Sequence, residues 1–158
     1  NLEKLIHLDP TNPFYKELIG EIYFVNNKHE IATKYQKEAI KYNEHESDLY
    51  YMMLGNYLLA FNAQKQTTEG IKYLKKSIQI NSKNAYSWYL LARAYSEINE
   101  ISLANYATAE RYFLIGERPL SYEFATKALE NIDEYSPEWY RSLDLINILE
   151  KEVIINRQ

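Results

Sequence analysis

Three segments of this chain repeat one pattern of small and bulky residues at an interval of roughly 35 positions. The small residues are Gly20, Gly55 and Ala92, at spacings of 35 and 37. In each copy a bulky residue stands directly before the small one and another stands three positions after it, which is the spacing of one helix face. Two helices approach closely only where one of them presents a small residue. The pattern therefore predicts pairs of helices stacked in series.

The clearest copy resembles the tetratricopeptide repeat (TPR), a unit of helix, turn and helix about 34 residues long. Its residues here are Trp88, Leu91, Ala92 and Tyr95, with the small residue Ala104 in the second helix. Only four Gly and four Pro occur among 158 residues, too few turn formers for a many-stranded β protein. The resemblance implies an all-α, TPR-type superhelix of antiparallel helical hairpins with about eight helices.

The period also predicts how the chain is divided. We expect one TPR domain over 1–158, beginning with the end of a truncated repeat at 1–10 that buries Leu2, Leu5 and Leu8. Three extra residues in the second copy are expected in a loop from Asn62 to Thr68, where insertions cost little. The predicted parts are repeats at 13–46, 48–84 and 85–115, an atypical repeat at 109–132 that shares a helix with its neighbour, and a capping helix at 137–154.

Turn-forming residues mark several of the expected helix boundaries. Asn26 and Asn27 favour a turn, and Gly116 can end a helix. Ser136 can cap a helix whose first residue is Pro137. We therefore expect helices to end or begin at these positions.

The sequence lacks the residue arrangements that zinc sites, cysteine nucleophiles and phosphate-binding loops require. His29 and His45 are each followed by Glu, as in the zinc-binding sequence H-E-x-x-H, but Thr33 and Leu49 stand where the second His belongs. The histidines are therefore expected on the surface. Cys is absent, and the Gly residues are too isolated for a phosphate-binding loop. We predict no catalytic residue, no metal site and no cofactor in this chain.

Charge and hydropathy narrow the class of partner. The net charge of −4 argues against nucleic acid, which requires a basic surface. No apolar run approaches the roughly 20 residues that a transmembrane helix needs, so we expect a soluble chain without a transmembrane segment. A polypeptide partner remains the most suitable class for a helical repeat.

Partner contacts are expected on the first helix of each repeat, because in a TPR array these faces line a concave groove. Aromatic residues there supply contact area, Met adapts its shape, and Asn and Arg can bond a partner's backbone. The alternative is that several of these residues pack against a neighbouring domain or a further helix. By contrast, Trp88, Tyr23, Tyr95 and Tyr112 are expected in the core. The predicted groove residues are Glu17, Glu21, Met52, Asn56, Tyr86, Tyr89, Arg93 and Glu97.

Beyond the generic repeat, particular strings resemble the TPR half of the BepA-type periplasmic zinc metalloproteases. These strings are Asn12-Pro13 with Tyr15, Glu17-Leu18 and Gly20; Trp88 with Leu91-Ala92 and Ala94-Tyr95; Leu103-Ala104 and Ala107 with Ala109-Glu110; and Ser136-Pro137 with Trp139, Arg141 and Asp144. The resemblance implies a non-catalytic C-terminal module. Zinc and the H-E-x-x-H sequence would belong to a protease domain of the same chain, placed before this segment.

The same resemblance implies a periplasmic location and a role in envelope protein quality control. Such modules are thought to shield the active site and to dock onto the outer-membrane assembly machinery and its unfolded clients. Two alternatives stay open at this point. One is a free-standing TPR adaptor or secretion chaperone. The other is a solenoid that self-assembles through Leu2, Leu5 and Leu8, if truncation of the preceding repeat leaves these residues exposed.

Overall fold

The computed structural model describes residues 4, 7 and 9–155, with side chains placed up to Lys151. Within these residues there are eight α-helices and no strand, as predicted. The expected buried face of Leu2, Leu5 and Leu8 lies outside the described residues. The helices are α1 (Pro13–Val25), α2 (His29–Tyr42), α3 (Asp48–Leu59), α4 (Gln64–Ile80), α5 (Ala85–Glu97), α6 (Ile101–Leu114), α7 (Arg118–Leu129) and α8 (Pro137–Ile155).

The helices divide into two compact units that meet in sequence between Ser82 and Lys83. In the first unit, α1 packs on α2 and α3 packs on α4 as two hairpins, and α2 also contacts α3. In the second unit, α6 packs on both α5 and α7, and α8 contacts α7 and α6. Each unit therefore has its own packed interior.

Three of the helix-to-helix turns are closed in the same way. A residue just after the helix takes a left-handed conformation at Asn27 (φ 58°), Asn99 (φ 62°) and Gly116 (φ 84°). In all three turns the next backbone N–H donates to the carbonyl five positions back, at 2.9 Å. This is the Schellman arrangement, which satisfies carbonyls at a helix C-terminus and favours Gly or Asn. The predicted helix ends near Asn27 and Gly116 are confirmed.

Helix starts are fixed by short polar side chains. The Asn12 and Asn84 side chains accept hydrogen bonds from first-turn amides of α1 and α5, at 3.0 and 3.2 Å respectively. Ser136 Oγ accepts from the first turn of α8 at 3.1 Å, and Pro137 follows it as the first helical residue. Proline suits this position because its missing N–H would have no helical partner. The predicted Ser136 cap is therefore confirmed.

Small residues let the helices of each hairpin in the first unit approach closely. A methyl group added at Gly20 would lie 3.3 Å from the Ala32 carbonyl oxygen of α2. One added at Gly55 would lie 2.6 Å from Leu74 Cγ of α4, closer than real contacts allow. These distances confirm the physical reason given for small residues at the repeat positions.

The position of the extra residues was predicted wrongly. The expected loop from Asn62 to Thr68 ends early, because α4 begins at Gln64 and runs for 17 residues. Gln and Lys are good helix formers, and no Pro or Gly interrupts the start of this helix. Thr67 in this first turn is buried, so packing also favours the longer helix. The insertion therefore extends α4 rather than a loop.

The predicted aromatic core is confirmed only in part. Trp88 and Tyr95 are buried, with 6% and 5% of their surface exposed. Tyr23 and Tyr112 are half-buried, and their rings stack on Tyr35 and Phe124 at 5.7 and 5.6 Å. Both stacked pairs join two neighbouring helices near the surface, where Tyr can keep its hydroxyl in water.

Candidate functional site

One face of α5 carries four of the predicted groove residues in the second unit. Tyr86, Tyr89, Arg93 and Glu97 recur at the three- and four-residue spacing that places side chains in a row. The rings of Tyr86 and Tyr89 stack at 5.6 Å, although 50% and 42% of their surfaces are exposed. Arg93 Nε donates to Glu97 Oε1 at 2.9 Å. The structure therefore brings these four residues together on an exposed face.

Arg111 of α6 extends this aromatic face beyond its own helix. The guanidinium carbon lies 5.2 Å from the ring centre of Tyr89 and 5.4 Å from that of Tyr112. Contacts of this kind hold the charged group against the electron-rich faces of aromatic rings. In the part of the chain that the structure describes, Arg111 makes no ion pair. Its N–H groups can therefore donate to acceptors on a partner.

The row continues onto α7. Tyr112 stacks on Phe124, and the Lys127 ammonium lies 5.1 Å from the centre of the Phe124 ring. Lys127 also pairs with Glu123 at 2.6 Å. We call the whole set the aromatic row. Its members are Tyr86, Tyr89, Arg111, Tyr112, Phe124 and Lys127.

The corresponding face of α1 in the first unit is acidic. Glu17 and Glu21 lie one turn apart, with Glu17 half-buried and Glu21 exposed. Partial burial raises the pKa of Glu17, and the neighbouring Glu21 charge raises it further. Two like charges at this spacing destabilise a helix by about 0.2–0.5 kcal/mol. The repulsion between Glu17 and Glu21 therefore destabilises α1 slightly.

The predicted residues on α3 do not form an equivalent exposed face. Met52 is buried, with 9% of its surface exposed, so its side chain supports the helix packing. Asn56 is half-buried one turn further along. A partner can therefore reach Asn56 more readily than Met52.

Tyr57 is a buried residue of α3 that the sequence pattern did not single out. Its side chain is fully buried and its ring stacks on Phe24 of α1, with centroids 4.4 Å apart and planes inclined by 20°. The hydroxyl has no hydrogen-bond partner among the described residues. Burial raises the pKa of Tyr57, and the Glu17 and Glu21 charges raise it further. A buried hydroxyl without a partner costs about 1–3 kcal/mol.

A deeply buried carboxylate takes part in an ion pair of the second unit. Glu110 of α6 is 6% exposed and accepts two hydrogen bonds from Arg141 of α8, at 2.6 and 3.1 Å. These bonds with Glu110 raise the pKa of Arg141, although partial burial opposes the shift. A bidentate contact of this kind fixes both side chains. Its role is to attach α8 to α6.

This ion pair joins the two most distinctive strings behind the metalloprotease resemblance. Ala109-Glu110 contributes the carboxylate, and the string from Ser136 to Arg141 contributes both the α8 cap and the guanidinium. Both strings therefore have a structural use in this chain. In this chain they attach the last helix, and they say little about what the surface binds.

The histidines do not gather into a metal site. The His29 ring contacts Phe24 and Phe61, at 5.4 and 5.9 Å, so this residue is half-buried and the expected surface position is confirmed only in part. His7 and His45 are exposed. Across the described residues, no three side chains among His, Asp and Glu are placed to hold one ion.

Comparison with known proteins identifies the architecture. A sequence profile described as a tetratricopeptide repeat matches residues 73–111. The crystal structure of MamA superposes with a TM-score of 0.68 at 18% identity, covering 97% of this chain and 86% of that one. The chain has a TPR fold.

Two further TPR structures agree with this assignment. YrrB, described as a TPR protein with an unusual peptide-binding site, superposes with a TM-score of 0.53 at 16% identity, covering 89% of this chain and 79% of YrrB. A thermophilic TPR protein from Thermus thermophilus gives 0.54 at 15% identity, covering 92% of this chain and 87% of that protein. At these identities the likeness concerns the fold.

No curated protein is significantly similar in sequence to this chain. Within the described residues, no helix of this TPR fold is long and apolar enough to cross a bilayer.

Proposed function

We propose that this TPR chain is a non-catalytic module that binds an extended polypeptide partner. The observation that carries the proposal is the exposed Tyr86 and Tyr89 stack beside Arg111, within the aromatic row. Tyr and Arg are among the side chains most enriched at the energetic centres of protein interfaces. Because the rings and the guanidinium already hold one another, little conformational entropy remains to be lost on binding.

The chemistry of the row suits an unfolded or extended segment. Its rings offer flat apolar area to a partner's side chains, while the Arg111 N–H groups can donate to backbone carbonyls. An extended peptide presents such carbonyls at regular intervals, unlike a folded surface. YrrB, which shares the fold, is described as having a peptide-binding site.

The test is a peptide selected against the intact chain from a random display library, followed by calorimetric titration of variants. Tyr89→Ala should weaken binding at least about tenfold, as expected for an aromatic anchor. The matched control is Tyr140→Ala, which removes an exposed Tyr of similar accessibility from α8. Peptide binding that is lost in Tyr140→Ala and retained in Tyr89→Ala would place the binding surface elsewhere.

Arg93→Ala gives a second test of whether the α5 face binds the peptide. Because the Arg93–Glu97 pair is exposed, its removal should change the free energy of unfolding by no more than about 0.5 kcal/mol. Peptide binding should weaken, since the α5 face loses a donor. A large loss of stability with unchanged affinity would make Arg93 a structural residue.

The resemblance to the BepA-type metalloproteases supports a more specific form of this proposal. In that form the chain is the docking module of a periplasmic zinc metalloprotease, and it presents unfolded clients or assembly partners during envelope protein quality control. The zinc and the catalytic residues would lie in the protease domain of the parent chain. The support is the set of shared strings, most of which have structural uses here.

The parent gene provides the first test of the specific form. An H-E-x-x-H domain encoded before this segment is the expected finding, and its absence would favour a free-standing adaptor or secretion chaperone. The second test is a pull-down from envelope extract with this chain as bait. Outer-membrane assembly components should be captured by the unmutated chain and not by the Tyr89→Ala, Arg93→Ala double variant.

A further inference from the structure

Arg111 of the second unit has no acidic partner among the residues that the structure describes. Arg93, Lys127 and Arg141 each form an ion pair with a carboxylate, at 2.9, 2.6 and 2.6 Å. The Arg111 side chain forms neither an ion pair nor a hydrogen bond with a described residue, and its guanidinium lies over two tyrosine rings instead. The chain has 22 acidic and 18 basic side chains, so the missing partner does not reflect a shortage of acids.

The two rings hold the Arg111 guanidinium in place without neutralising it. Its central carbon lies 5.2 Å from the centre of the Tyr89 ring and 5.4 Å from that of Tyr112. Aromatic faces attract a cation but carry no net charge. Arg111 is half-buried, so part of this side chain has also lost contact with water. A charge that is partly removed from water and has no counter-ion is stabilised when an anion binds to it.

A carboxylate fits the guanidinium of Arg111 in both shape and charge. The N–H groups form a planar fork that matches the two oxygens of a carboxylate, so two parallel hydrogen bonds can form. Contact with two rings already restricts the rotamers of Arg111, which reduces the conformational entropy lost on binding. One uncompensated positive charge is also balanced by the one negative charge of a carboxylate.

Arg111 lies in the middle of the aromatic row. It belongs to α6, which packs against both α5 and α7. From its guanidinium the row reaches Tyr89 and Tyr86 on α5 in one direction. In the other direction it passes through Tyr112 to Phe124 on α7. A peptide that covers the whole row therefore has residues on both sides of the one that meets Arg111, which is expected of an internal side chain rather than of a chain end.

We propose that Arg111 selects an aspartate or glutamate side chain inside the peptide that binds the aromatic row. This inference rests on the proposed function, because it specifies one residue of that peptide. The carboxylate accepts two hydrogen bonds from the guanidinium, while neighbouring residues of the peptide cover the rings. Arg111 is thus a specificity-determining residue, since a neutral side chain in the same place leaves its charge without a counter-ion.

The direct test uses N-acetyl-glutamic acid amide as the probe, titrated into the intact chain and followed by NMR. Its neutral counterpart, N-acetyl-glutamine amide, has nearly the same shape and lacks the charge. The Arg111 Nε–H signal should shift and saturate with the acidic probe and change little with the neutral one. Equal responses to the two probes would overturn the proposal. Equal shifts of Arg111 and Arg141 would also overturn it, because Arg141 already holds a carboxylate.

Variants separate the shape of the guanidinium from its charge. Arg111→Gln should weaken binding of a peptide selected against the intact chain at least about tenfold, as expected when a charged hydrogen-bonded pair is lost. Arg111→Lys should retain part of the affinity, because an ammonium keeps the charge but lacks the planar fork. The matched control is Lys151→Gln, which removes a positive charge from an exposed position on α8 and should leave affinity unchanged. An equal loss in the control would contradict the proposal.

A charge exchange gives a readout that a purely structural role of Arg111 would not produce. Arg111→Glu should abolish binding of the selected peptide, and lysine in place of the peptide's acidic residue should restore binding to this variant. With the unmutated chain, the corresponding amide in that place should weaken binding about tenfold. Loss of binding on amidation of the peptide's C-terminus, with no effect of the side-chain amide, would assign Arg111 to a terminal carboxylate and overturn the proposal.

The outcomes also distinguish this inference from the proposed function. Failure to select any peptide that depends on Tyr89 would remove the proposed function, and the acidic probe would still decide whether Arg111 binds a carboxylate. A Tyr89-dependent peptide whose affinity is unchanged in Arg111→Gln would remove only this inference.

Discussion

Glu110 is a carboxylate placed almost entirely out of water, and Arg141 is the residue that makes this placement tolerable. A buried charge that loses its partner retains its desolvation cost, so breaking a buried pair destabilises far more than breaking an exposed one. Here Glu110 is 7% exposed at its side chain, while Arg141 is 37% exposed. The partial exposure of Arg141 reduces the expected cost below that of a fully buried pair.

Arg141→Gln should therefore lower the free energy of unfolding by about 2 kcal/mol. The matched control is Lys127→Gln, whose pair with Glu123 is exposed on both sides, and its cost should stay below about 1 kcal/mol. Urea denaturation of the two variants gives both values. A cost for Arg141→Gln no larger than that of the control would show that Glu110 is solvated in the folded protein.

Glu17→Gln is expected to stabilise the protein at neutral pH. The pKa of Glu17 is raised in the folded state, first by burial and then by Glu21, so the folded chain binds this proton more readily than the unfolded chain. Stability from this group is therefore complete below its ordinary value of 4.5 and is lost as the pH rises through the raised pKa. The gain should be about 0.2–0.5 kcal/mol at pH 7.

Thermal melts across a pH series provide the measurement for this variant. The difference between Glu17→Gln and the parent should shrink as the pH falls below 4.5. Glu44→Gln, which removes the same charge from an exposed position outside the helices, should show no comparable gain. A destabilised Glu17→Gln at neutral pH would mean that Glu17 has a favourable partner.

The residues that sequence reasoning missed are those whose partners are distant in sequence. Arg111 is held by Tyr89, 22 positions earlier, and Tyr57 is held by Phe24, 33 positions earlier. Neither contact leaves a local signal in a helical period, because both side chains fit their helices equally well without it. Glu17 and Glu21 were named as groove residues because their spacing along one helix face is local.

Among the helices, the close approach of α3 and α4 depends on one missing methyl group. Gly55→Ala would place a carbon 2.6 Å from Leu74 Cγ, and Leu74 is fully buried. Overpacking of this kind costs about 1–3 kcal/mol, partly offset by the better helix propensity of Ala, worth about 1 kcal/mol. The net expectation is a loss of up to about 2 kcal/mol.

A double-mutant cycle provides the control for this prediction. Leu74→Ala alone leaves a cavity, and the new methyl of Gly55→Ala can occupy part of it. The double variant should therefore be more stable than the sum of the single losses predicts. Additive losses would mean that the two positions do not touch.

Helix boundaries were predictable where a side chain marks them. Asn27, Gly116 and Ser136 act through backbone conformation or capping bonds that depend only on nearby residues. The start of α4 was not predictable in this way, since Ala63 makes no capping bond and Gln64 follows it directly. Packing of the buried Thr67 favours that helix start, and packing is not encoded in local spacing.

The net charge of the whole chain limits the class of partner that it can bind. The net charge is −4, and one of the basic residues on the α2 surface, Lys37, is already paired with Glu69 at 2.8 Å. Neutralisation of phosphates supplies most non-specific affinity for DNA. We therefore expect no binding of a labelled DNA duplex by fluorescence anisotropy at physiological salt. Binding that weakens steeply with added salt would contradict this.

The repeat period was sufficient to predict the fold class and the α5 face, because both follow from helix geometry. The exposure of individual groove residues was harder to predict from the sequence. Met52 and Tyr89 hold corresponding positions in two repeats, yet Met52 is buried and Tyr89 is exposed. Burial of a side chain depends on tertiary packing, which the spacing along one helix does not encode. The division into repeats and the groove itself remain predictions.

If the aromatic row is a peptide-binding surface, NMR mapping of a selected peptide on the labelled intact chain should show it. We expect amide signals of α5 residues 86–93 and α6 residues 107–112 to shift as the peptide is added. These shifts should disappear in Tyr89→Ala and persist in Tyr140→Ala. Shifts confined to the outer surface of α2, with none on α5 or α6, would mean that the aromatic row does not bind the peptide.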